Sequence, residues 1–137
     1  MMFFGFTHCP VMCPTTMNEL AKVYRKLEAD KVSPLPQVVM VTVDPKRDDV
    51  KRMHDYLEGF NPSFIGAVGS NEQIKSITTE FGIAYEKIKS LDGKAGEYDM
   101  QHSGAVILIS PQGKLTAFFN WPHQASNLVE DYKHLVS

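Results

Sequence analysis

Cys9 and Cys13 stand in the run FFGFTHCPVMCP, directly after an apolar stretch that reads as a strand, and they are the chain's two cysteines. If the backbone turns helically there, a spacing of four puts both thiols on one face. A helix N-terminus favours thiolate over thiol, and thiolate is both the nucleophile and the metal ligand. His102, in MQHSGAVILIS, is the third candidate. It is expected to follow a loop and precede a strand, from where its imidazole can swing toward the cysteines. Two thiols and an imidazole suit Cu(I) better than magnesium or calcium.

Metal use and redox use compete for this pair. Dithiol redox motifs commonly place two residues between the cysteines; here there are three, Pro10, Val11 and Met12. Residues four apart in a helix lie about 6 Å apart at Cα, inside the disulfide range, so a Cys9–Cys13 bridge is feasible. The wider gap also leaves room for an ion between the sulfurs. The plain alternatives are two small buried hydrophobes and a histidine bonded to backbone. The prolines after both cysteines and the Gly-aromatic lead-in argue against the first.

Other donors rank lower. His8 adjoins Cys9, but neighbours in an extended loop point opposite ways. His54 is expected on an exposed helix face, and His123 and His134 on the surface near the last helix. Met12 and Met100 flank the sites and carry thioethers, a Cu(I) ligand type, though packing is their ordinary use. Asp44, followed by Lys46, Arg47 and Asp48, ends a strand at the same edge, where turn chemistry and capping account for much of it.

The elements that would position these residues can be read from the pattern. Met1–Phe6 reads as a buried strand. The loop 7–14 ends in Pro14, tolerated in the first turn of a helix that runs from about Thr15 to Leu27. The β-branched run 38–43 (VVMVTV in 38–43) is typical of a strand covered on both faces. Asp48 or Asp49 caps a helix to Glu58, and 64–68 forms a short strand. Ser70 or Asn71 caps a helix to Phe81, closed by Gly82. Residues 83–88 form a strand and 89–97 (KSLDGKAGE) a loop or hairpin tip. Strands 105–109 and 115–119 form an antiparallel hairpin about Ser110-Pro111-Gln112-Gly113. Ser126 caps a last helix to Leu135. Helix-linked early strands with a late hairpin predict an α/β fold, a thioredoxin-like sandwich with a central mixed sheet flanked by helices. The cysteines fall at the carboxyl end of the first strand, where sites in such sheets gather.

At 137 residues the chain is expected to form one domain, spanning 1–137. Fourteen basic against sixteen acidic residues give a net charge of −2, which argues against nucleic acid as a partner. No run of about 18 apolar residues marks a membrane span, and no charged-then-apolar segment marks a signal peptide. Opening on the inside of a strand suggests residues missing upstream, so a membrane anchor is not excluded.

Three ordered segments resemble the Sco/SenC family of copper-binding proteins linked to cytochrome c oxidase assembly. FFGFTHCPVMCP at 3–14 is similar to its metal loop, VTVDPKRD at 41–48 to its second signature, and HSGAVILISPQGKL at 102–115 to its histidine-plus-hairpin signature. YLEGFNPSFIGAVGS at 56–70 is also similar. The resemblance implies that Cys9, Cys13 and His102 bind copper, as Cu(I), Cu(II) or both. It implies a metallochaperone whose partner is the binuclear copper site of cytochrome c oxidase subunit II, or another copper acceptor. It further implies an extracytoplasmic domain tethered by an N-terminal membrane helix, in the bacterial periplasm or the mitochondrial intermembrane space. The family's additional N-terminal strands are lacking.

Two positions depart from the family pattern. Val11 stands where an acidic residue is common, and Gln101 where an aspartate commonly precedes the histidine. Both changes make the site less acidic, and glutamine offers only a neutral hydrogen bond. Three other readings stay open: a thiol–disulfide reductase that keeps target cysteines reduced, a copper- or redox-sensing adaptor, and, weakest, a thiol peroxidase. Enzyme activity, if any, would be thiol–disulfide exchange.

Overall fold

The strand opened by the first residues lies at the centre of the sheet, and both its faces are covered. Phe3 and Phe4 point to opposite sides of β1 (Met2–Gly5), yet each is 0% exposed. The computed structural model describes residues 1–9, 12–89, 98–102 and 104–136, and describes 86–89 and 98–102 by backbone. The elements after β1 are α1 (Met12–Ala29), β2 (Val39–Thr42), α2 (Val50–Glu58), β3 (Ile65–Ala67), α3 (Asn71–Phe81), β4 (Tyr85–Lys89), β5 (Tyr98–His102), β6 (Val106–Ile109), β7 (Leu115–Phe119) and α4 (Ala125–Val136).

Five strands form one mixed sheet in the order β3-β2-β1-β6-β7. β1 pairs parallel with β2, and β2 with β3; β6 runs antiparallel to both β1 and β7. Burial follows position in the sheet. β1, β2 and β6 are largely buried, while the edge strands β3 and β7 leave Ile65, Leu115 and Phe118 exposed. The central strands are apolar on both faces because helices cover both. α1 buries Met17, Leu20, Ala21, Val23 and Leu27, at helical spacing, and packs along α4. α2 buries Met53 and Leu57 against β3. This is the thioredoxin-like sandwich the order of elements predicts.

Several boundaries came out as expected for local reasons. Ser70 caps α3 in a full capping box with Gln73, and Gly82 ends it at φ +70, a left-handed conformation that glycine adopts without strain. Asp49, not Asp48, caps α2 by accepting from the Arg52 amide at 2.8 Å.

Three expectations need correction. α1 begins at Met12 rather than Thr15, so Cys13 lies inside its first turn. Pro14 permits this because the first amides of a helix have no intrahelical acceptor to lose. α4 begins at Ala125, ahead of Ser126. Its leading amide is satisfied from across the fold: Glu19 Oε2 accepts from Ala125 N at 2.8 Å, so Ser126 is not needed as a cap. The third correction is β5, where a loop was expected before His102. β4 and β5 pair antiparallel as a separate two-stranded ribbon, with Tyr85 opposite His102. Residues 90–97 of the expected loop lie outside the described residues, as do Pro10 and Val11. Among the described residues no helix is long and apolar enough to cross a membrane.

Candidate metal centre

The two cysteines meet where β1 gives way to α1. Cys9 ends the turn after β1, its amide donating to Phe6 O at 3.3 Å, and Cys13 is the second residue of α1. The Cys13 amide, one of the helix's leading donors, points at the Cys9 sulfur at 3.3 Å. An anionic sulfur is stabilised in such a position by the amide itself and by the helix dipole. Neither cysteine is in a disulfide; Cys9 is half-buried and Cys13 buried.

Cys13 sits tightly in its cradle. A Cβ added at Gly5 would lie 2.8 Å from Cys13 Sγ, 2.8 Å from Phe3 Cε1 and 3.2 Å from Met40 Cε. Glycine at the end of β1 therefore makes room for the sulfur. The two thiols are hydrogen-bonded to each other, and their protonation is linked. The hydrogen bond to the Cys9 sulfur, then burial, pushes the Cys13 thiol far above the ordinary range, with Cys9 charge adding to the effect. The Phe6 amide pulls the other way. Cys13 thus keeps its proton and Cys9 is the accessible sulfur. The pair fits a soft cation, whose binding takes both sulfurs as thiolates and releases their protons.

A buried carboxylate holds the turn ahead of Cys9. Asp48 is fully buried and accepts from the Thr7 amide at 3.0 Å, from the Thr7 hydroxyl, and from Thr42 Oγ1 at 2.8 Å. Arg52 Nε lies 3.5 Å from Asp48 Oδ1, the oxygen that accepts the Thr7 hydroxyl, and donates to Thr7 Oγ1 at 2.7 Å. The signature VTVDPKRD thus serves the cysteine turn: Thr42 and Asp48 brace it, while Asp44 is occupied by Arg47 and turn amides. Nothing in Asp48's sequence position distinguishes it from its neighbour Asp49; only β2 ending beside β1 does. Tyr56 also faces this region. Its buried hydroxyl has no hydrogen-bond partner among the described residues, and burial, then the two cysteines, raise its pKa.

His102 is the last residue of β5, and its side chain lies outside the described residues, as do those of Met100 and Gln101. Gly104, two positions on, runs so close to the start of α1 that an added Cβ would lie 3.2 Å from Met12 Sδ and 2.9 Å from Trp121 Cβ. The backbone just beyond His102 therefore packs on the residue preceding Cys13. Met12 acts here as packing.

Of the remaining histidines, His8 is exposed, with Nε2 3.4 Å from Arg52 Nη2. His54 is exposed as expected and groups with Asp55 and Glu58 on the outer face of α2, where Lys51 already bridges Asp55. His134 is exposed. His123 corrects the expectation of a surface residue: it is 8% exposed, and its Nε2 lies 2.6 Å from Gly104 O. Its position two residues after Trp121 in a polar loop hid this, because the contact spans nineteen residues.

Known proteins share this fold. The profile of the family described as SCO1/SenC matches residues 1–137. The mitochondrial SCO2 homolog of Mus musculus is 36% identical over 137 residues, covering all of this chain and 53% of that protein. A SCO2-like protein of Rickettsia prowazekii is 34% identical, covering 98% of this chain and 64% of its own length. The chain thus spans about half to two-thirds of the relatives it matches. The crystal structure of Arabidopsis thaliana ScoI with copper bound superposes with a TM-score of 0.89 at 32% identity, over 98% of this chain and 81% of that one. Copper-bound ScoI of Bradyrhizobium japonicum gives 0.81 at 32%, over 98% and 82%. With profile, relatives and structures agreeing along the whole chain, it belongs to the SCO1/SenC family.

Proposed function

We propose that this chain is a metallochaperone that binds one copper ion through Cys9, Cys13 and His102 and passes it to the binuclear copper site of cytochrome c oxidase subunit II. The observation that carries this reading is the hydrogen-bonded thiol pair at the start of α1, with a helix amide aimed at one sulfur and a glycine cradle shaped around the other. The copper-bound relatives support the choice of ion. Two thiolates and a neutral imidazole suit Cu(I), and three ligands leave a side open for an acceptor's ligand. Copper uptake must displace the Cys13 proton, so binding releases protons and strengthens with pH. Cys9 is the sulfur an acceptor reaches first, being the half-buried one.

The mitochondrial relatives support an extracytoplasmic setting. An anaerobic Cu(I) titration of the reduced protein against a competing chelator tests the reading. Tight one-to-one binding is expected, abolished in Cys9→Ser/Cys13→Ser and weakened at least tenfold in His102→Ala. Unchanged stoichiometry in the double variant would overturn it.

A second reading, thiol–disulfide reduction, is favoured by the inequality of the two thiols. The Cys9 thiolate would attack a target disulfide, expelling one target thiolate and forming a mixed disulfide. The Cys13 thiolate would then attack Cys9 Sγ, releasing the second target thiolate. Two electrons pass to the target, which takes up two protons, and a Cys9–Cys13 disulfide remains. Reduction of an oxidised subunit II peptide, lost in Cys9→Ser, would support this role. No reduction by the wild-type protein would remove it.

A further inference from the structure

We infer that His123 is a positioning residue for the copper site, fixing the segment that carries His102 through its hydrogen bond to Gly104. This rests on the reading of His102 as a copper ligand.

The geometry begins with the acceptor. A carbonyl oxygen can only accept, so at 2.6 Å from Gly104 O the Nε2 of His123 carries the proton and donates. The imidazole is 8% exposed, so this bond is largely shielded from competing water. Its ring stands edge-on to Trp121, with centroids 6.0 Å apart and planes at 84°. Trp121 in turn bears on Gly104, where a Cβ would come within 2.9 Å of Trp121 Cβ. Gly104 is therefore held at two points: by a hydrogen bond on its carbonyl, and by Trp121 and the Met12 thioether where a Cβ would stand.

The base of this clamp is itself anchored. Glu19 of α1 accepts from the Ala125 amide, two residues on from His123. Glu19 lies on the same helix as Cys13. A continuous chain of contacts thus runs from the helix that holds the thiol, through Glu19 and the start of α4, to His123 and on to the Gly104 carbonyl. The ribbon strands β4 and β5 pair with each other and not with the five-stranded sheet, so backbone pairing does not tie His102 to β1. The clamp at Gly104 supplies that tie two residues away. Gly104 must remain glycine for the approach to occur.

Outer partners that orient a metal ligand are typically worth about 10–100-fold in metal affinity. A double-mutant cycle on Cu(I) affinity, with His102→Ala and His123→Ala, tests the assignment in the full chain. His123→Ala is expected to lower affinity about tenfold, and less than twofold once His102 is already alanine. His123→Gln, whose amide nitrogen can occupy the Nε2 position and donate, should restore most of the loss; His123→Asn, which cannot reach, should not. A copper-free readout accompanies these: amide exchange across 104–106 should speed up in His123→Ala and Asn but not in Gln. Equal losses of affinity in both backgrounds, or exchange at 104–106 indifferent to all three substitutions, would overturn the inference. If His102→Ala alone leaves affinity unchanged, the ligand reading fails, and the exchange experiment still decides whether His123 pins the segment.

Discussion

Gly5→Ala is the sharpest perturbation of the thiol cradle, because it adds one methyl group at a known place. The new Cβ would lie 2.8 Å from both Cys13 Sγ and Phe3 Cε1. Ordinary carbon contacts lie at about 3.5–4.0 Å, so these neighbours must yield by about 0.7 Å or more. Phe3 is held in the centre of the sheet and cannot yield freely, so much of the shift falls on the sulfur. Overpacking of this kind costs about 1–3 kcal/mol. Bonds to a metal are defined to about 0.2 Å, several times less than that displacement, so Cu(I) affinity should fall at least tenfold. Gly66→Ala is the matched control. Its Cβ would lie 2.7 Å from Met53 Cβ and 3.2 Å from Leu57 Cδ1, an equally tight spot between β3 and α2 but away from the cysteines. Denaturant unfolding of the reduced, metal-free variants should show similar losses of stability for both. A Cu(I) competition titration should separate them, with Gly66→Ala within twofold of wild type. If Gly5→Ala loses stability yet binds copper as wild type does, the cradle is not part of the site. If it loses neither, the packing argument itself is wrong.

The same contacts have other consequences. Asp48→Asn keeps volume but turns an amide group toward the Thr7 and Thr42 donors, leaving at least one unmatched; a loss of about 1.5–3 kcal/mol is expected by denaturant unfolding. The freed turn should also let iodoacetamide reach Cys9 faster. Because the Cys13 thiol is raised in the folded state, the folded protein keeps a proton that the unfolded chain has lost above about pH 8.5. Stability of the reduced, metal-free protein should therefore be flat below about pH 8 and fall as pH rises toward about 10, a slope that Cys13→Ser removes. Glu19→Ala deprives α4 of its leading acceptor; a loss of about 0.5–2 kcal/mol is expected, with faster amide exchange at Ala125, and Glu19→Gln should retain most of the stability.

What could be read from the sequence was whatever its local chemistry determines. The strand β1, the capping box of α3, the Gly82 terminus and the β6–β7 hairpin each depend on residues within a few positions of one another. So does the pairing of Cys9 with Cys13. β5 escaped because three of its five residues are polar, although Tyr98, Met100 and His102 alternate with Asp99 and Gln101 in the period of a strand. The braces of the site escaped for a different reason. Asp48 reaches Thr7 across forty-one residues, Glu19 reaches Ala125 across 106, and His123 reaches Gly104 across nineteen. Such contacts exist only once β2 lies beside β1 and α4 along α1. Residue types and spacing supplied the three candidate ligands, and the resemblance to a known family agreed with them; neither supplied the groups that hold them in place.

The separate β4–β5 ribbon divides the proposed ligand set by mechanical origin. The thiols belong to the turn after the central strand and to the helix that follows it, and moving Cys13 means opening the core. His102 belongs to a two-stranded ribbon, a unit of marginal stability on its own. A partner that grasps the ribbon could thus withdraw one ligand while the dithiol half stays intact, lowering the ion's coordination number at little energetic expense. Cargo release would then be governed by a docking event on the periphery and not by unfolding at the centre, so the rate of transfer and the stability of the fold could be altered by separate substitutions.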